Sequence, residues 1–498
     1  MGIVIRQSIK GTIVTYVGAF IGFLNTLFIA TRFLQAEEIG LTRILIEAAT
    51  FISCLAQLGV SNSGFRYFPY FRTENGKHKG FFFYMLMLPL VGILFFFTIY
   101  FVFKQPISAY FDTNSPLFSQ YYFWVFPLSV FLIYMAVFET YSNVLMRIVV
   151  PRFMREIGLR LLTIGAILLY AFDVLNLNGF VVATIFAYGI TALVDLFYIS
   201  RIGKLSLQHD LKKDIPRPLR KDITTYSLFF ILALIGNLLS MKLDIFMVSA
   251  KMGLAYTGIY SVAYFMAAII EMPSRSISTI SLPLVSEAFK NKDYDRASYY
   301  YKRVSLNQFL AGCTIFVFLW INMDNIYQIM PNGDVYIQGM YVVLFISMAK
   351  LLDMMANFGG SILNVSKYYR YSVPFVLLLA VLTVVSNNIF IPIFGISGAA
   401  LATLISVGIY NSLIVTFIAW KMKIHPFTWS LLKVVILMGI LLGLNQCISP
   451  LENPVEDAFL RSSLLGIVAV GAIYGMKISE EVNSLVDTYL RKFNILKK

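Results

Sequence analysis

An all-α, polytopic membrane protein with about 14 transmembrane helices is the fold class that this 498-residue sequence predicts, on three observations. Apolar stretches of roughly 20 residues recur along the chain, and a hydrocarbon core of about 30 Å admits such a stretch only as a helix, because each backbone N–H and C=O must find its partner within the segment. Hydrophobic residues make up 58% of the chain and charged residues 13%, against about 25% charged in soluble domains, which excludes a large soluble domain. A basic loop follows almost every second apolar run.

Taken in order, the first run, 11–31, follows Arg6 and Lys10. It is longer than a signal-peptide core and has no small-residue cleavage pattern, so it is expected to remain as the first helix. Runs at 44–60, 80–103, 121–146, 157–175 and 179–200 complete a first six-helix bundle, residues 1–200. A polar, basic linker with Pro216 and Pro218 occupies 201–222. Runs at 223–250, 259–285, 304–322, 335–363, 373–394 and 399–420 then make a second six-helix bundle, residues 223–421, pseudo-symmetric with the first. Two shorter runs, 431–447 and 462–476, add two C-terminal helices within residues 422–477. In the tail, 478–498, Ile478, Val482, Leu485, Val486, Tyr489, Leu490 and Phe493 fall on one face at helical spacing, the pattern of an amphipathic helix lying on a membrane surface or packed on neighbouring loops.

If all these runs span, 32 of the 40 Lys and Arg residues lie on one side, which predicts both termini in the cytoplasm. The net charge of +14 therefore reflects topology and contact with anionic head groups, and a nucleic-acid partner is excluded. Cys54, Cys313 and Cys447 each fall inside an apolar run without CxxC spacing, so they read as small core residues rather than a disulfide or zinc framework. Gly18 with Gly22, Gly439 with Gly443 and Gly471 with Gly475 have the GxxxG spacing of tight helix packing. No HExxH, GxSxG or phosphate-binding loop occurs, His78, His209 and His425 are isolated, and the chain is expected not to be an enzyme and to need no metal or cofactor.

The chain also repeats itself. Leu34-Gln-Ala-Glu-Glu-Ile-Gly-Leu41 stands at the exit of the first helix and Met252-Gly-Leu-Ala-Tyr-Thr-Gly-Ile259 at the exit of the seventh, each preceding a helix that ends near a proline, Pro69 or Pro283. Two repeated halves are the usual plan of transporters whose substrate sits between them.

The words Leu34 to Leu41, Tyr256-Thr-Gly-Ile-Tyr-Ser-Val-Ala263, Ser281-Leu-Pro-Leu-Val-Ser286 with Asp293-Tyr-Asp295, Asp244 in Lys242-Leu-Asp244, and Gly359-Gly-Ser-Ile-Leu-Asn364 together resemble the polysaccharide-transport branch of the multidrug/oligosaccharidyl-lipid/polysaccharide (MOP) exporter superfamily. That resemblance implies a multi-pass protein of the bacterial inner membrane: a flippase carrying undecaprenyl-pyrophosphate-linked oligosaccharide across it for O-antigen, capsule or exopolysaccharide assembly. Its partners would be the lipid-linked oligosaccharide, membrane lipids, and polysaccharide polymerase and chain-length proteins. It also implies basic residues in a cavity, a role carried by location to Arg32 and Arg66.

Ionisable groups in apolar helices are functional candidates, since a central charge costs about 2.5–3.5 kcal/mol. Lys242, Arg275 and Lys350 join Arg32 and Arg66 as candidates for binding a pyrophosphate, Arg with its planar fork and Lys as a mobile point charge. Asp244, Glu271, Asp353 and Glu47 are candidates for ion coupling. Glu271 with Arg275, and Lys350 with Asp353, have the alternative of neutralising each other along one helix face. Lys242 and Asp244, two apart, do not. A cation-coupled multidrug exporter would want an acid deep in the first bundle, for which Glu47, Glu139 and Asp195 are available. A membrane glycosyltransferase or polymerase would use outward carboxylates such as Glu37 and Glu38.

Overall fold

The computed structural model describes residues 2–73, 78–202, 221–225, 227 and 243–492, and every regular element among them is a helix. Among the described residues, eleven segments are long and apolar enough to cross a membrane. The protein is thus an all-α, multi-pass membrane protein. Not every expected span is a separate helix. Most of the expected seventh lies outside the described residues, and the eleventh and twelfth form one run, Ser372–Met422, interrupted at Gly395 (φ 61°, ψ −136°). Only glycine adopts that backbone without strain, so the break is written into the sequence.

The chain divides into two compact units, Met1–Ser261 and Val262–Lys498. The division falls within the helix Leu254–Ala268, well beyond the expected linker, most of which lies outside the described residues.

In the first unit, α1 (Gly2–Leu24) passes through a π-helical turn, Asn25–Ala30, before ending at Phe33. Helix α2 (Ala36–Ala56) starts eight residues ahead of the apolar run because a capping box closes it: Gln35 N–H donates to Glu38 Oε2 at 2.8 Å. A left-handed Gly59 joins it to α3 (Val60–Phe71), which contains Pro69. Next come α4 (Phe81–Val102) and α5 (Val125–Val144). Helix α6 (Leu159–Ala171) is shorter than expected at both ends, with a second π turn, Met154–Gly158, ahead of it and its C-cap at Phe172, and α7 (Leu177–Ile202) follows.

The two repeated words meet in this unit, at the start of α2 and of α8 (Leu254–Ala268). A Cβ on Gly40 would overlap the Leu254 carbonyl oxygen, and one on Gly258 would overlap that of Ala36. Position three of each word thus faces position seven of the other, a reciprocal contact of backbone on backbone. Nearby, Asn114 Nδ2 donates to the Ala250 carbonyl at 2.8 Å and Ser115 Oγ to that of Ser249 at 2.7 Å. These bonds explain why 243–261 clusters with the first unit.

In the second unit, Pro273 at the head of α9 (Met272–Lys290) and a single 3-10 turn, Ile269–Glu271, interrupt the expected eighth span. Helix α10 (Tyr294–Ile321) begins ten residues before its apolar run, because the Asp293 side chain accepts from Arg296 N–H at 2.9 Å and caps it. Then come α11 (Met340–Ala356), α12 (Phe358–Val365), α13 (Ser372–Met422), α14 (Trp429–Gln446) and α15 (Pro454–Gly475). Leu310, Cys313, Phe316, Leu351, Leu437 and Leu465 bring four of these helices into one core. A buried ion pair closes the turn before α15: Arg461 Nε donates to Asp457 Oδ2 at 2.5 Å, Asn325 donates to the same oxygen, and Arg461 also donates to the Asn445 and Ile448 carbonyls. The tail helix α16 (Glu480–Lys492) is tied to α10 by Arg303, paired with Glu481, and by Ser479 Oγ donating to Asn307.

Two expectations need correcting. Among the described residues, nothing lies within 4 Å of a Cβ placed on Gly439, Gly443, Gly471 or Gly475, whereas the Gly18–Gly22 pair is packed against Glu156 and Arg160. Cys447 is exposed, not a core residue, while Cys313 is buried. Gly40→Ala and Gly258→Ala should each cost about 1–3 kcal/mol through overpacking, read as a lower thermal midpoint in detergent, and Gly439→Ala should leave that midpoint unchanged. Equal midpoints for all three would contradict the close backbone contact.

Candidate functional site

A charge cluster of the second unit gathers at the 3-10 turn that precedes Pro273. There Glu271 leaves the regular helix and its two oxygens go to different cations: Oε1 accepts from Arg275 Nη2 at 2.9 Å and Oε2 from Lys350 Nζ on α11. The side chains of Glu271 and Lys350 are 19% and 16% exposed, that of Arg275 77%, so one cation is enclosed and the other open. Lys350 Nζ also stands 5.8 Å from the Tyr264 ring centroid, a cation–π distance. Asp353, one turn further along α11, does not pair with Lys350. Its oxygens accept from Asn411 Nδ2 at 3.1 Å and Asn357 Nδ2 at 2.9 Å. The expected Glu271–Arg275 pairing therefore exists, whereas the Lys350–Asp353 pairing gives way to a contact between helices.

A second cluster lies in the first unit, where α5 packs against α2 and α7. Glu47, 2% exposed, pairs with Arg43 one turn before it at 2.6 Å, and Glu139 on α5 pairs with Arg155 in the second π turn at 2.5 Å. Tyr188 and Asp195 on α7 lie within electrostatic reach of these pairs. Asp195 is 1% exposed, and neither carboxylate oxygen has a hydrogen-bond partner among the described residues. An ionised carboxylate buried in this way is costly, and uptake of a proton or a monovalent cation removes the cost. Sequence reasoning placed Asp195 in a helix but chose Glu47 for ion coupling. The signal that separates them is the Arg43 four residues before Glu47, for which Asp195 has no counterpart on its own helix.

The remaining candidates are dispersed. Arg32 and Arg66 are exposed, each beside the ring of the next residue, Phe33 or Tyr67, and they stand at opposite ends of the stretch formed by α2 and α3. Asp244 is buried and accepts from Tyr260 Oη at 3.0 Å. Lys242 lies outside the described residues. Glu38, a candidate for carboxylate chemistry, has one oxygen in the α2 cap and the other bonded to Tyr170 Oη. No group of three or more metal-ligating side chains occurs among the described residues.

No family model matches the chain. It is 22% identical over 233 residues to the probable low-salt glycan biosynthesis flippase Agl15 of Haloferax volcanii; the match covers 46% of this chain and 49% of that one, so the chain spans about half the length of the curated relative it matches. Among solved structures, the lipid II flippase MurJ, in an inward closed conformation, superimposes with a TM-score of 0.73 at 14% identity, over 94% of this chain and 100% of that one. An inward-facing multidrug resistance MATE family transporter of the MOP superfamily gives a TM-score of 0.58 at 14% identity over 84% of this chain and 98% of that one. The chain thus has the fold of these transporters, and the resemblance expected from its sequence fits that fold.

Asp195→Asn removes a charge without changing shape, so the thermal midpoint of the purified protein should stay level or rise, whereas Asp457→Asn, which breaks a paired charge, should lower it. A fall for Asp195→Asn as large as that for Asp457→Asn would show that Asp195 is paired.

Proposed function

We propose that the protein is a flippase for lipid-linked oligosaccharide, working by alternating access in the bacterial inner membrane. Its cargo is an undecaprenyl-pyrophosphate-linked unit for O-antigen, capsule or exopolysaccharide, and a polysaccharide polymerase and chain-length proteins act after it. The observation that carries this reading is the Glu271 junction, where Arg275 and Lys350 converge on a single carboxylate in a helical bundle. A pyrophosphate presents oxygens of the same kind as that carboxylate. Cargo can therefore take the place of Glu271, with Arg275 offering its fork and Lys350 a point charge. Arg32, Arg66 and Lys242 are proposed as further phosphate contacts, and Asp195, with Asp244, Asp353 and Glu47 as the other acids, as the ion-coupling group. The likeness to MurJ supports a flippase over a drug exporter by its higher TM-score and greater coverage.

The second reading, a cation-coupled multidrug exporter, is favoured by one observation, the buried Asp195 of the first unit, whose carboxylate has no hydrogen-bond partner among the described residues. A polymerase is disfavoured because Glu38 is committed to a helix cap and to Tyr170.

Deleting the gene separates these readings. For a flippase, repeat units should accumulate on undecaprenyl pyrophosphate, out of reach of an impermeant glycosidase in spheroplasts, while external polymer disappears. A lost polymerase would leave single units accessible, and a lost exporter would change neither pool. Arg275→Ala or Lys350→Ala should reproduce the flippase phenotype at normal protein abundance, with Arg275→Lys restoring it in part.

The basic asymmetry of the loops supports a topology with both termini and the 201–222 linker in the cytoplasm and the 451–457 turn in the periplasm. In a cysteine-free background, an impermeant thiol reagent should label a cysteine at 453 in intact cells and spare one at 210. The opposite pattern would invert the orientation.

A further inference from the structure

We propose that a lysine-lined cavity at one end of the second unit binds the phosphate of an anionic lipid head group, a site separate from the cargo path and independent of the flippase reading. The cavity measures about 580 Å³, and five lysines line it: Lys290, Lys292, Lys367, Lys421 and Lys423. They come from three separated stretches: the end of α9, the segment after α12, and the end of α13. Not one Asp or Glu is among the lining residues.

Helix electrostatics accounts for part of this arrangement. A cation in the last turn offsets the negative end of the helix dipole, and Lys290 and Lys421 occupy such positions. That explanation does not reach the other three. Lys292 and Lys423 lie past their helix ends at φ 57° and 59°, left-handed positions that favour glycine or asparagine, and both are occupied by lysine. Lys367 belongs to no α-helix and shares the cavity with them. Ammonium groups gathered without a carboxylate repel one another, and an anion among them reverses the sign of that interaction.

The setting identifies the anion's source. Trp420 is 71% and Trp429 82% exposed, and Tyr369, Tyr371 and Phe427 are exposed at the same end of the unit. Aromatic side chains cluster in this way at the level of lipid head groups. Lys421 Nζ sits 3.6 Å over the Trp420 ring, and Lys367 Nζ is 5.1 Å from that of Tyr368, so the charges lie at the depth of the aromatic belt. Basic pockets between membrane helices at this depth suit phosphate head groups.

The test uses the full-length protein in non-ionic detergent and follows its thermal midpoint during titration with short-chain phosphatidylglycerol, phosphatidylcholine of the same chain length, or inorganic phosphate. Phosphatidylglycerol should raise the midpoint saturably and phosphatidylcholine should not. The triple variant Lys292→Gln, Lys367→Gln, Lys423→Gln should keep the lipid-free midpoint, since all three side chains are exposed, and should bind phosphatidylglycerol at least about tenfold more weakly. A saturable response to inorganic phosphate alone, lost in the triple variant, would keep the phosphate site but assign it to a soluble ligand. Equal phosphatidylglycerol responses in wild type and variant, or equal responses to the two lipids, would overturn the proposal. Should the triple variant unfold, the single Lys367→Gln and Lys423→Gln variants decide in the same way, each expected to weaken binding about threefold.

Discussion

Hydrocarbon offers no partner to a peptide group, so every N–H and C=O in a membrane segment must be matched inside the protein, and the rest of this structure follows from that demand. It makes each regular element a helix. It also makes interruptions costly unless other groups satisfy what the helix releases. At the Ile269–Glu271 turn, the side chain exposed by the break is held by cations on two sides. Before α15, the Arg461 guanidinium donates to the carbonyls of Asn445, in the last turn of α14, and Ile448, in the loop, while pairing with Asp457. At these two places irregular backbone lies beside charged side chains.

The same demand shapes how helices touch. Lipid tails are as apolar as leucine, so helices gain little by burying oily side chains against one another and more by close fit. The Gly40 and Gly258 contact is an extreme case, with one helix backbone resting on the other and the two repeated words exchanging equivalent positions. Charged groups obey a parallel rule. Glu47, Glu139 and Asp457 each sit beside an arginine, whereas neither oxygen of Asp195 has a hydrogen-bond partner among the described residues.

The helical class, most spans and the repeat were legible in the sequence, because length and hydropathy act locally along the chain. Helix starts were less so. Helices α2 and α10 begin well before their apolar runs, since their caps, Gln35 with Glu38 and Asp293, are polar and lie outside any hydropathy signal. Glycine spacing misled for a related reason: GxxxG reports the capacity for close approach, and whether a neighbour arrives depends on tertiary packing. At the charge clusters, the Glu271–Arg275 pair was legible from its spacing, while the diversion of Lys350 from Asp353 to Glu271 required knowing which helices are adjacent. The lysine cavity was legible only as a count of basic loop residues, because its three contributing stretches are far apart in sequence.

The two π turns, Asn25–Ala30 in α1 and Met154–Gly158 ahead of α6, have a consequence for how these helices change over time. Each turn accommodates one residue more than an α-helical turn would, so the stripes on either side are out of phase by one position, about 100° around the axis. Gly18, ahead of the first of these turns, lies against Glu156 in the second. Deleting a single residue within Asn25–Ala30 would restore a regular α-helix and rotate everything before it. An alignment that closes such a gap silently would therefore compare the wrong faces, whereas a one-letter indel at this point is a change of gear in an otherwise continuous helix.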